Sequence, residues 1–392
     1  MTRPAAGLLP LVVLLFFGHV GFTGGRLGVT LRAMELQASA ATIGVLLSAM
    51  MLVPSLVAVQ VGRWADRAGA FRPTLAGLLA LVAAELLLGL AQSLPVLAAA
   101  GILVGTGYTV AHVAMTHAIG HLAGPNERAR VFGLTAIAFS VSASVGPLFA
   151  GVLADRGADF GGLSLLVVLP IVATAMLVRW RPHIAGGVPG GAAHSADSQG
   201  LMRQPAVRKV LLVSALMSLG WDLFSFAMPL YAAQQGLSAS AIGMIVGSFG
   251  AGSVASRLAL AVLHGRWTEW RLLRDSLALS AAGYLLVPLT DQSIGMAALS
   301  FALGLVLGCG QPLVMSLLVA VAPGGREGEA VGIRASITSI GQTTLPLAFG
   351  ALGSLVGMAP VFWGTALVLT SGCVYVWRES AGRGAPADEQ GP

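Results

Sequence analysis

Charged side chains are scarce in this sequence, and that scarcity excludes a soluble fold. Asp, Glu, Lys and Arg together make up 10% of the 392 residues, whereas a soluble domain carries about 25%. Most side chains must therefore face lipid or one another, in agreement with the 56% of hydrophobic residues. The composition predicts an all-α polytopic membrane protein.

Cysteine and lysine are almost missing as well. The two cysteines, Cys309 and Cys373, both lie in apolar stretches, so we expect packing roles and neither a disulfide nor a metal framework. Lys209 is the single lysine among 22 basic residues. These residues are spread over short loops, so membrane orientation explains the net charge of +6 better than nucleic-acid binding does.

The sequence also lacks recognisable motifs for catalysis. It has no G-x-x-x-x-G-K-[ST] loop for a nucleotide, and its loops show no nucleophile paired with a base. We therefore expect no ATP-driven pump, no enzyme and no cofactor.

Long apolar runs predict twelve membrane-spanning helices. The first run, Leu8 to Leu31, is too long for a signal peptide and is taken as a span. An even number of spans places both termini on one side. Most Arg residues lie on the face that holds Arg63, Arg67 and Arg72, so we predict cytoplasmic termini in a bacterial inner membrane. The predicted spans lie near residues 8–31, 40–61, 74–92, 95–118, 129–153, 162–180, 207–232, 239–263, 272–290, 293–321, 330–354 and 359–377.

A polar interruption divides the chain into halves. Residues 182–206 are rich in Gly, Ala and Ser, with scattered His and Asp, a composition that cannot bury enough apolar surface to fold. We predict a cytoplasmic linker there, between an N-terminal six-helix bundle at 1–181 and a C-terminal six-helix bundle at 207–380. The tail at 381–392 is expected to be disordered.

The two halves repeat each other in sequence. Gly44 recurs as Gly243 and Pro147 as Pro346, in each case 199 positions later. One constant offset across six helices is hard to obtain by chance, even in a glycine-rich chain. The repeat predicts two pseudo-symmetric six-helix bundles around a central cavity. The same offset relates Ile43 to Ile242, Arg67 to Arg266, Arg72 to Arg271, Gly105 to Gly304, Gly133 to Gly332 and Gly151 to Gly350.

A basic stretch, Gly62-Arg63-Trp64-Ala65-Asp66-Arg67-Ala68-Gly69-Ala70-Phe71-Arg72-Pro73, joins the second and third runs. Its glycines are expected to permit a tight hairpin. The stretch resembles the G-x-L-A-D-R-x-G-R-K signature between helices two and three of major facilitator superfamily (MFS) transporters, with Trp64 replacing Leu and Ala70 replacing Arg. The resemblance implies a gating loop whose Asp docks onto a neighbouring helix end; the alternative is an ordinary positive-inside loop. The implied gating residues are Gly62, Arg63, Asp66, Arg67, Gly69 and Arg72.

The fifth run carries a pattern of small residues with one proline. It resembles the G-x8-G-x3-G-P-x2-G-G signature of drug:proton antiporters in that superfamily, with Ser142 and Ala150 as small replacements. Small residues allow close helix contact, and proline allows a bend. The resemblance implies the antiporter branch; the alternative is helix packing alone. The matching residues are Gly133, Ser142, Gly146, Pro147 and Gly151.

Two charges inside apolar runs are the strongest pointers to a transport pathway, because an unpaired charge at mid-bilayer costs several kcal/mol. Asp222 lies midway along the seventh run and corresponds by the repeat to Thr23, one turn from Arg26. Helices one and seven face each other across the cavity in this family. We therefore predict that Arg26 and Asp222 form a direct or water-bridged pair that couples binding to transport; the alternative is a static ion pair.

Aromatic and polar side chains near these charges complete the predicted pathway. Glu85 has three open roles: a headgroup contact, a partner of a neighbouring side chain, or part of a second proton path. His112, Met115, His117 and His121 suggest metal ligands, but no Cys joins them, and we predict no metal site. Besides Arg26 and Asp222, the predicted pathway residues are His19, Phe22, Tyr108, His112, Trp221, Phe226, Gln342 and Thr343.

Arg257 and Arg334 lie about a turn inside the cytoplasmic boundary, where we expect snorkelling to the interface, with attraction of an anionic substrate as the alternative. Two departures from the family pattern weaken the commonest route of proton coupling. Gly101 stands where proton-coupled members usually carry an Arg, and Gly265 stands opposite Asp66 in the repeat.

Together these features predict a monomeric secondary active transporter that moves a small molecule by alternating access. The first expectation is proton-coupled efflux of amphipathic or drug-like compounds. One alternative is proton-coupled uptake of a small organic anion or nutrient, with Arg26 as the anion contact. Another is a non-transporting membrane sensor. The expected partners are the substrate, protons and the lipid bilayer, and no nucleic acid.

Overall fold

The fold is all-helical over the residues that the computed structural model describes, which are 8–122, 125–156, 162–181, 201–262, 267–323 and 326–381. In these ranges the chain forms thirteen α-helices, two short 3₁₀ helices and no strand. The α-helices are α1 (Leu9–Glu35), α2 (Ala40–Ala68), α3 (Phe71–Leu90), α4 (Leu94–Leu122), α5 (Pro125–Arg156), α6 (Val168–Arg179), α7 (Pro205–Gln234), α8 (Ala239–Val262), α9 (Glu269–Leu286), α10 (Ser293–Gly308), α11 (Gly310–Val321), α12 (Glu327–Val356) and α13 (Met358–Ala381). The 3₁₀ helices are Leu163–Val167, before α6, and Val287–Leu289, after α9.

Ten helical segments of the described chain are long and apolar enough to cross a bilayer. They confirm a multi-pass membrane protein and ten of the twelve predicted spans. The remaining two predicted spans correspond to Leu163–Arg179, a shorter apolar stretch, and to α12, which carries Arg334, Thr338 and Gln342. For these two segments a membrane span stays a prediction.

The predicted hairpin between the second and third spans is wrong in its extent. Instead of ending near Val61, α2 continues to Ala68, so Gly62, Arg63 and Arg67 are helical. Only Gly69 and Ala70 form the turn, and Gly69 ends α2 at a φ of 72°, a conformation that glycine adopts without a steric penalty. The helix outlasts the apolar run because Arg and Ala favour helix even where the surroundings are polar.

The side chains of this basic segment reach outward where they are described. Arg63 and Arg67 are exposed at the end of α2, and Arg72 is exposed in the first turn of α3. The side chain of Asp66 lies outside the described part of the structure, so its docking onto a neighbouring helix end stays a prediction.

The tenth predicted span is two helices instead of one. Cys309 separates α10 from α11, and Pro312 lies in the first turn of α11. Proline has no N–H and therefore cannot continue the hydrogen bonding of the preceding helix. Cys309 is buried and contacts the Ser276 hydroxyl at 3.0 Å, which is consistent with a packing role; Cys373 is also a free thiol.

Helix packing follows the order of the chain. Among α1 to α6, α4 packs against α1, α2 and α3, while α5 packs against α1 and α6 packs against α1 and α3. Among α7 to α13, α8 packs on α10, α9 on α13, and α7 on α11, α12 and α13. Two close pairings join these groups, α2 with α12 and α5 with α8.

Glycines that match in the sequence repeat make these two joining contacts. A Cβ at Gly44 of α2 would overlap the backbone of Pro346 in α12, and one at Gly243 of α8 would lie 2.5 Å from the carbonyl oxygen of Pro147 in α5. Both glycines are therefore required for backbones to approach this closely. Residues that are 199 positions apart in the sequence therefore make equivalent contacts in the two halves.

The joining contacts lie at one end of the helices, which we call the closed end: the start of α2 and α8 and the finish of α5 and α12. At the opposite end, which we call the open end, three glycines have no close neighbour. A Cβ at Gly62 of α2, Gly133 of α5 or Gly332 of α12 would meet no atom within 4 Å. The helix pairs are therefore in close backbone contact at the closed end, whereas these glycines of the open end make no such contact.

At the closed end, two helix starts are capped by side chains from the helix packed against them. The Asp155 carboxylate at the end of α5 accepts hydrogen bonds from the backbone N–H groups of Ala239 and Ser240 in α8, at 2.9 and 2.8 Å. Ser354 of α12, the repeat equivalent of Asp155, accepts a hydrogen bond from the N–H of Ala41 in α2 at 2.9 Å. Each cap satisfies helix N–H groups that have no partner within their own helix.

Removing one cap is expected to loosen only its own helix start. Asp155→Ala removes a capping interaction worth about 1 kcal/mol, so the first-turn amides of α8 should exchange with solvent about fivefold faster. Hydrogen–deuterium exchange with mass spectrometry measures this effect, and Ser354→Ala is the matched control, which should affect the start of α2 instead. Equal exchange at α8 in Asp155→Ala and the wild type would show that the cap is not held in solution.

Candidate functional site

A cavity of about 250 Å³ lies between α1, α5, α7, α8, α10, α11 and α12. Its lining is mixed, with aromatic, hydroxyl, amide and charged side chains. Such a mixture suits a small ligand that has both an apolar part and polar groups. The polar and aromatic lining residues are His19, Phe139, Ser140, Ser214, Ser218, Trp221, Asp222, Arg257, Gln311, Arg334, Thr338 and Gln342.

An aromatic cluster stands behind the α1 and α5 wall of the cavity and consists of His19, Phe22, Tyr108, His112 and Phe139. The ring centroids of Phe22 and Tyr108 are 4.3 Å apart, those of Tyr108 and His112 5.3 Å, and those of His19 and Phe139 4.7 Å. Four of these five residues were predicted from the sequence, and the structure brings all four together. Phe139 was missed, because a phenylalanine in an apolar helix has no feature that separates a site residue from a packing residue.

His19 is held in place by the fifth helix. Its Nδ1 makes a short hydrogen bond with the Ser142 hydroxyl, and the Thr23 hydroxyl donates to the Ser142 backbone carbonyl at 3.0 Å. His19 also reaches the cavity lining. The histidine ring is therefore oriented by Ser142, one of the residues of the predicted helix-five signature.

Asp222 lines the cavity and is 2% exposed, with no hydrogen-bond partner for its Oδ2. Arg26 interacts with it electrostatically. Among the described residues, however, no nitrogen of Arg26 comes within 4.0 Å of an Asp222 carboxylate oxygen. The direct form of the predicted pair is therefore absent from this structure, while a water-bridged pair stays a prediction.

The remaining predicted pathway residues divide into two groups. Trp221 lines the cavity and packs edge-on against Phe249 at 4.7 Å between ring centroids, and Gln342 lines it from α12. Phe226 is instead fully buried and packs near Phe349, away from the lining, and Thr343 donates to the Ser339 carbonyl along its own helix. The helical turn of α7 decides this difference, since it directs Trp221 and Phe226 to different faces.

Arg257 lines the cavity from α8, which contradicts the predicted snorkelling. It donates to the Ala136 carbonyl of α5 and to Gln311 Oε1 of α11 at 3.5 Å, and its Nε has no partner. Arg334 of α12 also lines the cavity; its Nε donates to the Ser214 hydroxyl at 3.0 Å. Charge within apolar helices was the signal that pointed to both residues, and the repeat did not reveal that they turn inward.

The helix-five signature makes close contacts at three of its positions. A Cβ at Gly146 would overlap Thr23 of α1, a Cβ at Gly151 would overlap Ala239 of α8, and Pro147 lies inside the helix next to Gly243. Ser142 is fully buried against His19. Gly133, in contrast, has open space around it. The signature therefore positions α5 between α1 and α8.

Glu85 of α3 is fully buried, and neither of its carboxyl oxygens has a hydrogen-bond partner. A Cβ added at Gly25 of α1 would lie 2.7 Å from Glu85 Oε1, so glycine makes the room for this carboxyl. The structure thus contradicts two of the roles considered, a headgroup contact and a carboxyl partnered by a neighbour. A part in a proton path remains the third.

The prediction of no metal site concerns His112, His117 and His121 of α4, of which only His112 has a described side chain. No group of three His, Cys, Asp or Glu side chains there is arranged to hold a metal ion. His112 belongs to the aromatic cluster instead. The side chains of His117 and His121 lie outside the described residues.

Comparison with known proteins identifies the family. The sequence model described as Major Facilitator Superfamily matches residues 9–290 and 210–391. The chain belongs to the major facilitator superfamily. This protein is accordingly a multi-pass membrane protein of that superfamily.

Relatives by sequence are similar over only a part of the chain. The putative uncharacterized transporter YgaY of Escherichia coli strain K12 is 31% identical over 142 residues, which is 36% of this chain and 36% of that protein. The uncharacterized transporter YgaY of Escherichia coli O157:H7 matches to the same extent. The chain thus spans about a third of the length of the curated relatives it matches.

Solved structures of transporters share the fold of this MFS protein. A bacterial homologue of the human lysosomal transporter Spinster, inward-facing and occupied, superposes with a TM-score of 0.75 over 99% of this chain and 100% of that chain, at 15% identity. A POT family transporter in complex with 5-aminolevulinic acid gives a TM-score of 0.78 over 97% of both chains, at 13% identity. At these identities the likeness concerns the fold alone.

Proposed function

We propose that this MFS protein is a monomeric secondary active transporter that works by alternating access, and that it exports small amphipathic compounds in exchange for protons. The main support is the cavity between α1, α5, α7 and α12, which is lined by aromatic side chains together with charged and amide side chains. An amphipathic molecule matches both sides of such a cavity.

In the proposed mechanism, two six-helix bundles with twelve spans in total move relative to each other. The first consists of α1 to α6 within residues 1–181. The second, predicted at 207–380, consists of α7 to α13, which run from Pro205 to Ala381 and in which α10 and α11 together make one span. Helix contacts are concentrated within each group, and α2–α12 and α5–α8 are the close pairings between them. The predicted linker at 182–206 lies mostly outside the described residues, as does the predicted tail at 381–392 apart from Ala381, which ends α13.

The basic end of α2 supports an orientation in which the open end of the cavity faces the cytoplasm. Arg63 and Arg67 lie at that end, and the positive-inside rule retains such residues in the cytoplasm of a bacterial inner membrane. The caps of Asp155 and Ser354 then close the periplasmic side. The arrangement corresponds to an inward-facing state, from which rocking about the glycine contacts opens the other side.

Asp222 is the proposed site of proton coupling. Among the described residues that line the cavity, Asp222 is the one with a carboxylate. Arg26 lies close enough for electrostatic interaction with it, without forming an ion pair. Protonation of Asp222 removes the attraction to Arg26, and this change favours a different arrangement of α1 and α7. The contacts of Gly146 and Gly151 along α5 support the antiporter branch, since they allow two helices to move against one another.

Flux measurements in proteoliposomes test the direction and the coupling together. The liposome lumen is made acidic, and the protein molecules whose periplasmic side faces the lumen are the ones followed. A fluorescent amphipathic probe is expected to move into the lumen, and dissipation of the proton gradient should stop its accumulation there. Protein-free liposomes and liposomes that contain the Asp222→Asn protein are the controls. Accumulation that is indifferent to the gradient would contradict proton coupling, and accumulation in the opposite direction would contradict export.

A second candidate function, transport of a small organic anion, is favoured by Arg257 and Arg334. Their side chains contact Gln311 and Met315, which lie one turn apart on α11, so the two guanidinium groups approach the same end of the cavity. Among the described residues neither has a carboxylate within 4.0 Å. Guanidinium groups remain charged and bind carboxylates well, so this end of the cavity favours an anion.

Matched probes separate the two candidates. If the substrate is an anion, purified protein should bind 1-naphthoate more tightly than 1-naphthylmethylamine, and Arg334→Gln should weaken naphthoate binding about tenfold. Isothermal titration calorimetry provides the affinities, and Arg179→Gln, at the exposed end of α6, is the control. Tighter binding of the amine, unaffected by Arg334→Gln, would rule out the anion and leave the cationic amphipathic compounds.

A further inference from the structure

A second cavity, of about 370 Å³, lies apart from the transport cavity, between the ends of α7, α9, α11 and α13. Four basic residues and two aromatic residues line it, and we call it the basic pocket. Its lining combines the first turns of α7 and α9 with the last turns of α11 and α13. The basic and aromatic lining residues are Arg208, Lys209, Trp270, Arg271, Arg274 and Tyr375.

Lys209 is the most deeply placed cation of the basic pocket. Only 8% of Lys209 is exposed, and its Nζ lies 4.7 Å from the centroid of the Trp270 ring. A cation over an aromatic face is stabilised by the ring quadrupole. The chain has a single lysine, and the fold places it inside a pocket at a helix end, where a purely orienting charge would be expected to face water.

Among the described side chains, Asp275 and Glu269 are the acids near the arginines of the pocket. Asp275 pairs with Arg274 at 2.7 Å and lies 3.9 Å from Arg271. Glu269 accepts a hydrogen bond from Ser316 of α11 at 2.5 Å. Counting these two acids against Arg208, Arg271 and Arg274 leaves one positive charge in excess among these described side chains, and Arg271 has a side chain that is 61% exposed. A ligand that enters the pocket therefore meets an excess of positive charge.

The pocket lies where the helix surfaces change from basic to apolar. One turn beyond Arg208, Leu212 is 42% exposed on α7, and near the end of α11, Val319 is 47% exposed. Exposed apolar side chains on membrane helices face the acyl chains, whereas Trp, Tyr, Lys and Arg mark the headgroup region. A molecule with a phosphate headgroup and acyl chains matches both surfaces at once.

We propose that the basic pocket binds the phosphate headgroup of an anionic phospholipid, with the acyl chains lying along α7 and α11. Basic pockets between membrane helices on the cytoplasmic side attract such headgroups. The lipid also contacts α9 and α13 within the second half of the chain. This surface lies outside the transport cavity, so lipid binding there does not depend on which substrate is carried.

Native mass spectrometry of the full-length protein tests this proposal. After exchange into a mild detergent, protein from membranes that contain phosphatidylglycerol and phosphatidylcholine should retain phosphatidylglycerol preferentially. Arg208→Gln and Arg271→Gln, both at exposed positions, should each weaken retention about fivefold, as expected for removal of one charge near an anionic headgroup. Arg179→Gln removes an exposed arginine at the corresponding end of α6 and should leave retention unchanged.

Three results would overturn the proposal. Equal retention of phosphatidylcholine would show that headgroup charge is not recognised, and equal losses in Arg179→Gln would show a general surface effect. Displacement of phosphatidylglycerol by inorganic phosphate at equal concentration would indicate a site for free phosphate instead of a lipid. Lys209→Gln is measured in parallel with thermal unfolding, so that a folding defect at this buried position is distinguished from loss of the lipid.

Discussion

Replacement of Gly105 by leucine is expected to abolish production of folded protein. Gly105 of α4 packs directly against α2, where even a Cβ would overlap the carbonyl oxygen of Met50 and lie 3.1 Å from Pro54. The Met50 carbonyl belongs to a helix backbone and cannot move without shifting α2. Alanine at this position adds an overpacking cost of about 1–3 kcal/mol, from which its better helix propensity removes about 1 kcal/mol, so we expect a net destabilisation of up to about 2 kcal/mol.

Thermal unfolding of the detergent-purified variants, followed by intrinsic fluorescence, provides the measurement. Gly133→Ala is the matched control, because a Cβ there meets no atom within 4 Å, and its stability should equal or exceed that of the wild type. Gly304→Ala should reproduce the effect of Gly105→Ala, since its Cβ would overlap the carbonyl oxygen of Phe249, the repeat equivalent of Met50. Wild-type stability of Gly105→Ala would mean that α2 and α4 are farther apart than described.

Asp222→Asn is expected to reduce proton-driven transport by about tenfold or more while the protein still folds. Asparagine has nearly the shape of aspartate, and Oδ2 of Asp222 has no hydrogen-bond partner that the change would remove. The variant loses the charge that interacts with Arg26 and the group that is proposed to carry the proton. Flux under an imposed pH gradient is the measurement, with the amount of folded protein determined by gel filtration.

Glu85→Gln distinguishes the two buried carboxyls. If Asp222 alone carries the proton, Glu85→Gln should retain the pH dependence that Asp222→Asn loses. The opposite result would assign coupling to Glu85, whose two oxygens are also without partners. Wild-type flux and pH dependence in Asp222→Asn would exclude a coupling role for Asp222 and would support a structural charge that sets helix register.

Features that repeat along the chain were the most predictable. The constant offset of 199 positions indicated paired glycines, and the structure shows why they are paired: Gly44 meets Pro346, and Gly243 meets Pro147. The aromatic residues His19, Phe22, Tyr108 and His112 were predictable because polar or aromatic residues at helical spacing stand out in an apolar helix. Where a feature is local or periodic, the chain itself carries the information.

Other features depended on rotation about a helix axis, which apolar runs of such uniform character do not specify. Trp221 faces the cavity while Phe226 enters the core, and Arg257 and Arg334 turn inward although interfacial snorkelling was expected. The direct Arg26–Asp222 pair is absent because the separation of α1 and α7 is set by packing between whole helices. The basic pocket depends on the meeting of four helix ends that are far apart in the sequence.

The amino-acid sequence by itself determined that this chain is a helical membrane protein built from two similar halves, because charge scarcity, run length and repeat offset are properties of the linear order. Tertiary structure alone decided which side chains share the cavity, which carboxyls lack partners and where the helix ends form a basic pocket. These facts depend on how each helix is rotated and how closely its neighbours approach, and both are set by contacts between residues distant in the chain.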